Sequence, residues 1–407
     1  MQAVTSRTSS PAGRRSRHLA LLSLTGLFAG CTAADNLSYP EITAELDAIV
    51  RIEGQGAERR IRYEERAAVS PWYMRSPMTW PLRWPLGVTF GRKHLADLEN
   101  PAGHVRELVV ELPDEAGDDL SLATGAMLRL LLLAELDPGA GTRLAALDGL
   151  CATADALRLP VFSGDFAQFG LLADTTRVGA ARIALQTSRP AQRGPDGLPG
   201  AQATNYAEAL ATLVERPLPD WSAQQELVVD LFEAWRSESV SALRSASEQA
   251  LRQALGHALE QALVRAVQGR DPQAAELRVC AMQQIRRLGG PHAVPLLLAV
   301  MAASASEVRG GRERFDPDPA VQLQLIHLCG QLRGELALQA LRLPGRDDWE
   351  PVAPADFLAM TVLRERDYFS KLRGPALAAL ALCLQQPKFS QDPAWVEVWY
   401  RDRQRQS

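Results

Sequence analysis

Apolar residues recur along most of this chain at the three- and four-residue spacings of an α-helix, and the clearest run lies between Asp271 and Ser304. Leu277, Ala281, Ile285 and Leu288 share one helical face there, while Val294, Leu297, Leu298 and Met301 share another. Between the two stripes stands Leu288-Gly289-Gly290-Pro291. Gly290 suits a chain reversal, and Pro291, which lacks an N–H, suits a first helical turn. The pattern predicts an antiparallel helix hairpin. Val321, Leu325, Leu328 and Leu332 repeat, 44 residues later, the stripe that begins at Leu277, with Asp318 placed to cap and Pro319 at the first helical position. A period in this range predicts a helical solenoid.

Helical patterning extends well beyond these units. Leu120 to Leu136 and Gly141 to Leu157 read as two helices separated by the turn Asp137-Pro138-Gly139, and Arg177 to Leu185 as a short one. Leu227, Leu231 and Trp235 share a face, and Val240 to Val267 makes a long helix. In it Leu251, Leu255, Leu259, Leu263 and Val267 step by four, so the stripe rotates by about 40° per step and suits burial against several neighbours in turn. Pro354 to Phe369, followed by Gly374-Pro375 with Leu377, Leu380, Ala381 and Leu384, reads as a third hairpin two periods after Gly290-Pro291. Trp395 to Tyr400 then covers the end of the array.

The first half is more mixed. Glu41 to Ala68 reads as two helical pieces broken at Gly54 and Gly56, while alternation at Val50/Ile52 and Ile61/Tyr63 leaves a small β-hairpin open. Val88 to Phe90 and Val105 to Leu112 are strand candidates. Residues 70–85 hold four prolines and three tryptophans and predict an extended strap, because proline fixes φ and pushes its predecessor to extended geometry. Trp72, Trp80 and Trp84 either pack on the helical body or sit with Arg75 and Arg83 at lipid headgroups. Thr187 to Gln202, rich in proline and glycine, predicts a linker. The expected fold is therefore mainly α, an irregular α-solenoid of stacked antiparallel hairpins over 204–407, joined through a linker at 187–203 to a mixed, mostly helical region over 41–186.

The amino terminus adds an address. Residues 1–30 carry Arg7, Arg14, Arg15 and Arg17 and no acid, then an apolar run from Leu19 to Gly30 too short to span a membrane. That is the layout of an export signal peptide. Its end, Leu27-Phe28-Ala29-Gly30-Cys31, resembles the lipobox of bacterial lipoproteins, with Phe28 where leucine is commoner. The resemblance implies that Cys31 carries a diacylglycerol, that 31–40 is a tether, and that Thr32 favours the outer membrane, periplasmic side, of a Gram-negative cell. The other reading is a plain signal cut elsewhere, or an uncleaved anchor. The 407 residues hold 44 basic and 48 acidic side chains, and loss of the four signal arginines leaves 40 against 48, a net charge of −8. That balance argues against a nucleic-acid partner.

The segment from Glu276 to Leu297, with Leu288-Gly289-Gly290-Pro291-His292-Ala293-Val294-Pro295-Leu296-Leu297 at its centre, resembles the HEAT-repeat family in its bacterial HEAT-like form, save that Gly290 stands where Asp is usual. The second unit keeps Asp318-Pro319-Ala320-Val321 and Cys329-Gly330-Gln331-Leu332, then departs at Arg333-Gly334. HEAT arrays generally serve as interaction scaffolds, so the resemblance implies a protein partner at the cell envelope. Any specificity is then expected in the strap or in exposed positions such as Arg286, Arg287 and His292.

Catalytic patterns are sparse. No His-Glu-x-x-His, Gly-x-Ser-x-Gly or Gly-Lys-Ser/Thr phosphate loop occurs, and no cofactor or metal is expected. The acids Glu111, Asp114, Glu115, Asp118 and Asp119 lack the spacing of a calcium loop and offset a helix dipole instead. His257, His292 and His327 read as lone helical histidines. Cys151, Cys280, Cys329 and Cys383 read as buried small hydrophobes, with disulfides as the other possibility in an exported protein. Two functions remain, a non-catalytic scaffold and an envelope enzyme or lyase-like HEAT protein whose site is assembled from distant residues.

Overall fold

The computed structural model describes residues 50–53, 60–63, 101–109, 120–137, 139–162, 174–187, 200–218, 220–269, 274–309, 316, 318–343, 351–364 and 371–406. The alternation at Val50/Ile52 and Ile61/Tyr63 forms an antiparallel ladder, β1 (Val50–Glu53) with β2 (Arg60–Tyr63), in which Val50 faces Tyr63 and Ile52 faces Ile61. The hairpin reading therefore holds for those residues, not the helical one. The other described elements are helices, and the fold is mainly α. They are α1 (Pro101–Val109), α2 (Leu120–Leu136), α3 (Ala140–Ala156), α4 (Thr175–Thr187), α5 (Gly200–Val214), α6 (Trp221–Ser237), α7 (Ser241–Gln268) and α8 (Ala275–Gly289). Then follow α9 (Ala293–Arg309), α10 (Pro319–Gly330), the single turn α11 (Glu335–Leu338), α12 (Pro354–Arg364), α13 (Arg373–Cys383), the single turn α14 (Lys388–Gln391) and α15 (Ala394–Gln406).

One strand expectation is overturned. Val105 to Leu112 reads as a strand, yet Pro101–Val109 is helical. The cause is tertiary: α1 packs on α3, where Gly141 and Gly149 leave room for it. A Cβ on Gly149 would stand 2.8 Å from Val109 Cγ1. The other strand candidate, Val88 to Phe90, lies outside the described residues, as does the acidic run Glu111 to Asp119.

The long helix α7 has the burial its rotating stripe predicts. Leu251, Leu255, Leu259 and Leu263 have no exposed surface, and Ala250, Ala254, Ala258, Ala262 and Ala266, one place earlier at each step, are buried too. Its neighbours are α2, α3, α5, α6, α8 and α9, so it lies between the helices of both halves of the chain. Much of its polar remainder is tied to them. Ser247 bonds Tyr206 at 2.8 Å, Gln261 donates to Leu218 O at 2.6 Å, and Arg265 pairs with Glu135 at 2.7 Å.

Beyond α7 the hairpin of α8 and α9 forms as expected, with Gly290 at φ 66° in the turn. Asp318 caps α10 by accepting from Ala320 N at 2.8 Å, and Pro319 opens the helix. Successive packing links α8 to α10 to α13, and α9 to α12 to α15. Arg278, 2% exposed, joins α8 to the approach to α10 through an ion pair with Asp316 at 2.7 Å. The third unit differs from expectation in one respect. Gly374-Pro375 opens α13, which packs on α10 and so follows α8, whereas Gly290-Pro291 opens α9. The tail covers α12 as anticipated: Val396 is fully buried, and Arg403 bonds Asp356 at 2.7 Å.

Gly256 lies where α7 crosses the segment after α3, and a Cβ there would come within 2.8 Å of Pro160 O. Gly179, exposed on α4, has nothing within 4 Å of its Cβ position. Gly256→Ala should lower stability in urea unfolding by about 1–2 kcal/mol although alanine is the better helix former. Gly179→Ala should raise it by about 0.5–1 kcal/mol. A stabilising effect at both positions would contradict the close crossing.

Candidate functional site

Three of the six expected surface residues, Arg286, Arg287 and His292, lie at or just beyond the end of α8. Its last turn carries Arg286 and Arg287, whose positive charge suits a helix carboxy terminus. Arg287 is half-exposed but turned inward onto α3: its guanidinium pairs with Asp155 and reaches Cys151 O at 3.5 Å, while Nε donates to Gln284 at 2.7 Å. Arg286 is half-buried, and its Nε has no hydrogen-bond partner among the described residues. His292 is exposed in the turn before α9, not on a helix. Cys31, Trp72, Trp80 and Trp84 lie outside the described residues.

The contact between α3 and α8 is polar along one edge. Asp148, Cys151 and Asp155 of α3 face Cys280, Gln284 and Arg287 of α8, with the Cys280 thiol donating to Asp148 Oδ1 at 3.1 Å. Burial pushes the Cys151 thiol up to about 12, against a lowering effect of Arg287. Burial also raises the Cys280 thiol, and the hydrogen bond and charge of Asp148 raise it further. Cys329 on α10 and Cys383 on α13 are buried, the second pushed up by burial to about 11. All four are free thiols, and the reading as buried small hydrophobes fits Cys151, Cys329 and Cys383 but not the half-exposed Cys280.

A second polar group sits inside the molecule. Glu260 of α7 is 8% exposed and accepts from Phe162 N–H at 2.5 Å through Oε1, while Oε2 lies 3.2 Å from His257 Nδ1. His257 Nε2 is 3.1 Å from Val214 O at the end of α5. Phe162 in turn rests on Gly289, whose Cβ would meet the Phe162 Cβ at 3.0 Å. The pair thus fastens α5, α7, the Leu159–Phe162 segment and the α8 turn to one another. Both ring nitrogens face acceptors, an arrangement that only the imidazolium satisfies. Burial alone would lower the His257 pKa, but the hydrogen bond and charge of Glu260 and the Val214 carbonyl outweigh it and leave it raised. Reading His257 as a lone helical histidine overlooks Glu260 one turn on, a spacing visible in the sequence. Asp148 and Cys280, 132 residues apart, left no such signal.

A cavity of about 210 Å3 opens between the end of α12 and the starts of α13 and α15, bordered by Arg373, Asp392 and Glu397 with Val362 behind. Its carboxylates have local work: Asp392 caps Ala394 N at 2.9 Å and Glu397 pairs with Arg401 at 3.0 Å. Among the described residues no three His, Cys, Asp or Glu side chains converge as metal ligands, and no helix is long and apolar enough to cross a membrane. Comparison with protein-family models, curated proteins and solved structures finds no match to the chain.

The sign of the His257 effect is fixed by its raised pKa. The stabilisation is complete below the unfolded-state value near 6.5 and is lost as pH rises through the higher folded value. The gap in unfolding midpoint between the unsubstituted protein and His257→Gln should therefore be largest at mildly acid pH and shrink as the solution becomes alkaline. A gap that widens with pH would show that the ring is neutral in the fold.

Proposed function

We propose that this chain is an exported, lipid-anchored helical-repeat protein of HEAT-like kind that serves as a non-catalytic interaction scaffold at the cell envelope. The observation that carries the reading is the successive packing of α8, α10 and α13 with α9, α12 and α15 alongside. Such packing is compatible with stacked helical layers, the form in which solenoids bind proteins. The signal-like amino terminus ending at Cys31 supplies the address, and acylation there would hold the body at the membrane without a spanning helix.

The partner's surface is assigned to exposed residues of α8, α10 and α13. Gln283 is exposed on the first, Leu323 and His327 on the second, and Ala378 and Leu382 on the third. Leu323 is 46% and Leu382 58% exposed, which places two large apolar side chains on neighbouring helices among polar ones. Large apolar side chains set among polar ones suit a protein interface.

Two experiments test the reading separately. Cys31→Ser should move the protein from the membrane pellet to the soluble envelope fraction; undiminished membrane association would remove the lipid anchor from the account. A photo-crosslinking residue at Leu382 should capture a discrete envelope protein that the same residue at Ile183, exposed on α4, does not. Identical adducts from both positions would contradict a docking face on the repeat helices.

A further inference from the structure

We infer that Leu157–Phe162 is a proton-gated strap: a charged His257 keeps Glu260 on the Phe162 backbone, and a neutral one lets the end of the strap leave the α8 turn. The strap lies along one face of α7. Arg252, Gly256 and Glu260, one turn apart, meet Leu157 O, Pro160 O and Phe162 N–H in that order: a bond of 2.5 Å, a backbone approach with no room for a Cβ, and a second bond of 2.5 Å. Two strap residues stand in the left-handed region, Arg158 and Phe162, both at φ 52°. Arg158 ends α3 in the place where glycine is usual, with Arg158 N–H on Asp155 O and Leu159 N–H on Ala154 O. Phe162 serves no such helix end, and a bulky residue keeps that geometry only where its surroundings impose it. Two contacts do so: the Glu260 carboxylate on its N–H, and the packing of its side chain, 6% exposed, against Gly289.

The grip on that N–H depends on a charge. Glu260 is buried, and a carboxylate so placed is costly without a counter-charge. The His257 imidazolium supplies it, with Nδ1 at 3.2 Å from Oε2 while Nε2 donates to Val214 O at 3.1 Å. The other charged groups on the surrounding elements are exposed or engaged elsewhere, save one. On α5 Glu208 is exposed, and just past its end Glu215 pairs with Arg216 and with Arg177 of α4. On α7 Arg252 pairs with Glu248 and Arg265 with Glu135. At the end of α8 Arg287 pairs with Asp155, and on the strap Arg158 is exposed. The exception is Arg286, half-buried with no partner at Nε among the described residues; the charge that acts on the ring is that of Glu260. A neutral ring offers one N–H to two acceptors and no charge to the carboxylate. Glu260 then turns to water, Phe162 loses the bond that holds its φ, and its side chain withdraws from Gly289. Because the His257 pKa is raised in the fold, the strap is closed at low pH and released as pH rises through the folded value. What the gate alters is the support of the α8–α9 turn.

The test follows hydrogen exchange at the Phe162 and Leu255 amides of the purified protein from about pH 5.5 to about pH 9, each corrected for its intrinsic rate. Protection at Phe162 should fall by up to about tenfold per pH unit above the ordinary histidine value of 6.5, then level off once the folded value is passed, while Leu255 holds. His257→Gln should leave Phe162 weakly protected throughout, with no step. If that variant does not fold, the profile of the unsubstituted protein decides alone. Protection at Phe162 that stays flat with pH, that falls only together with Leu255, or that keeps its step in His257→Gln would overturn the inference. The measurement involves neither membrane nor partner, so it stands or falls apart from the envelope reading.

Discussion

A helix whose leucines turn around its axis has no single dry face, so the chain must wall it in. From Leu251 to Val267, α7 presents leucine or valine at every fourth position and alanine one place before. Exposing either set would leave apolar surface in water at about 25 cal/mol for each Å2. The alanines let neighbouring backbones come close, and Gly256 lets Pro160 come closer still. Six helices meet α7 as a result, drawn from before and after it in sequence.

Packing alone would leave those neighbours free to slide, and the polar positions of α7 remove that freedom. Gln224 of α6 donates to Ala254 O at 3.1 Å while its own oxygen accepts from Leu218 N at 2.9 Å, so one side chain sets α6, α7 and their approach. Arg252 donates to Leu157 O at 2.5 Å and binds Glu248 at 3.0 Å. Glu260 and His257 do the same for the Leu159–Phe162 segment and α5. A buried carboxylate is costly unless paired, and here the bonds that satisfy it also fix the position of the α8 turn through Phe162. The helices from α8 onward therefore start from a defined platform.

The sequence made helix periods legible wherever packing followed one face or a steadily turning one. That is why α2, α3, α7, α8 and the cap at Asp318 could be read directly, along with the hairpin alternative at Val50 to Tyr63. The strand expected from Val105 failed because its alternation was short and two glycines on α3, 32 or more residues further on, decided the outcome. The place of α13 in the array was hidden for a different reason: Gly374-Pro375 looks like Gly290-Pro291, but a single turn, α11, and the chain after it displace the order of helices. Of the positions expected to be exposed, Arg287 and His292 are so and Arg286 is half-buried, and the partners of Arg287 and Cys280 come from α3. Pairing across such sequence distances carries no periodic signal, so it could be seen only in three dimensions.

The claim on which the rest stands is that α7 is the common wall of one core. Native-state hydrogen exchange resolved along the chain tests it most directly. Amides from Leu251 to Val267 should exchange last, at the free energy of global unfolding, with α2, α3 and α8 exchanging in step. Opening of α7 ahead of those helices would place it at the periphery of the core instead.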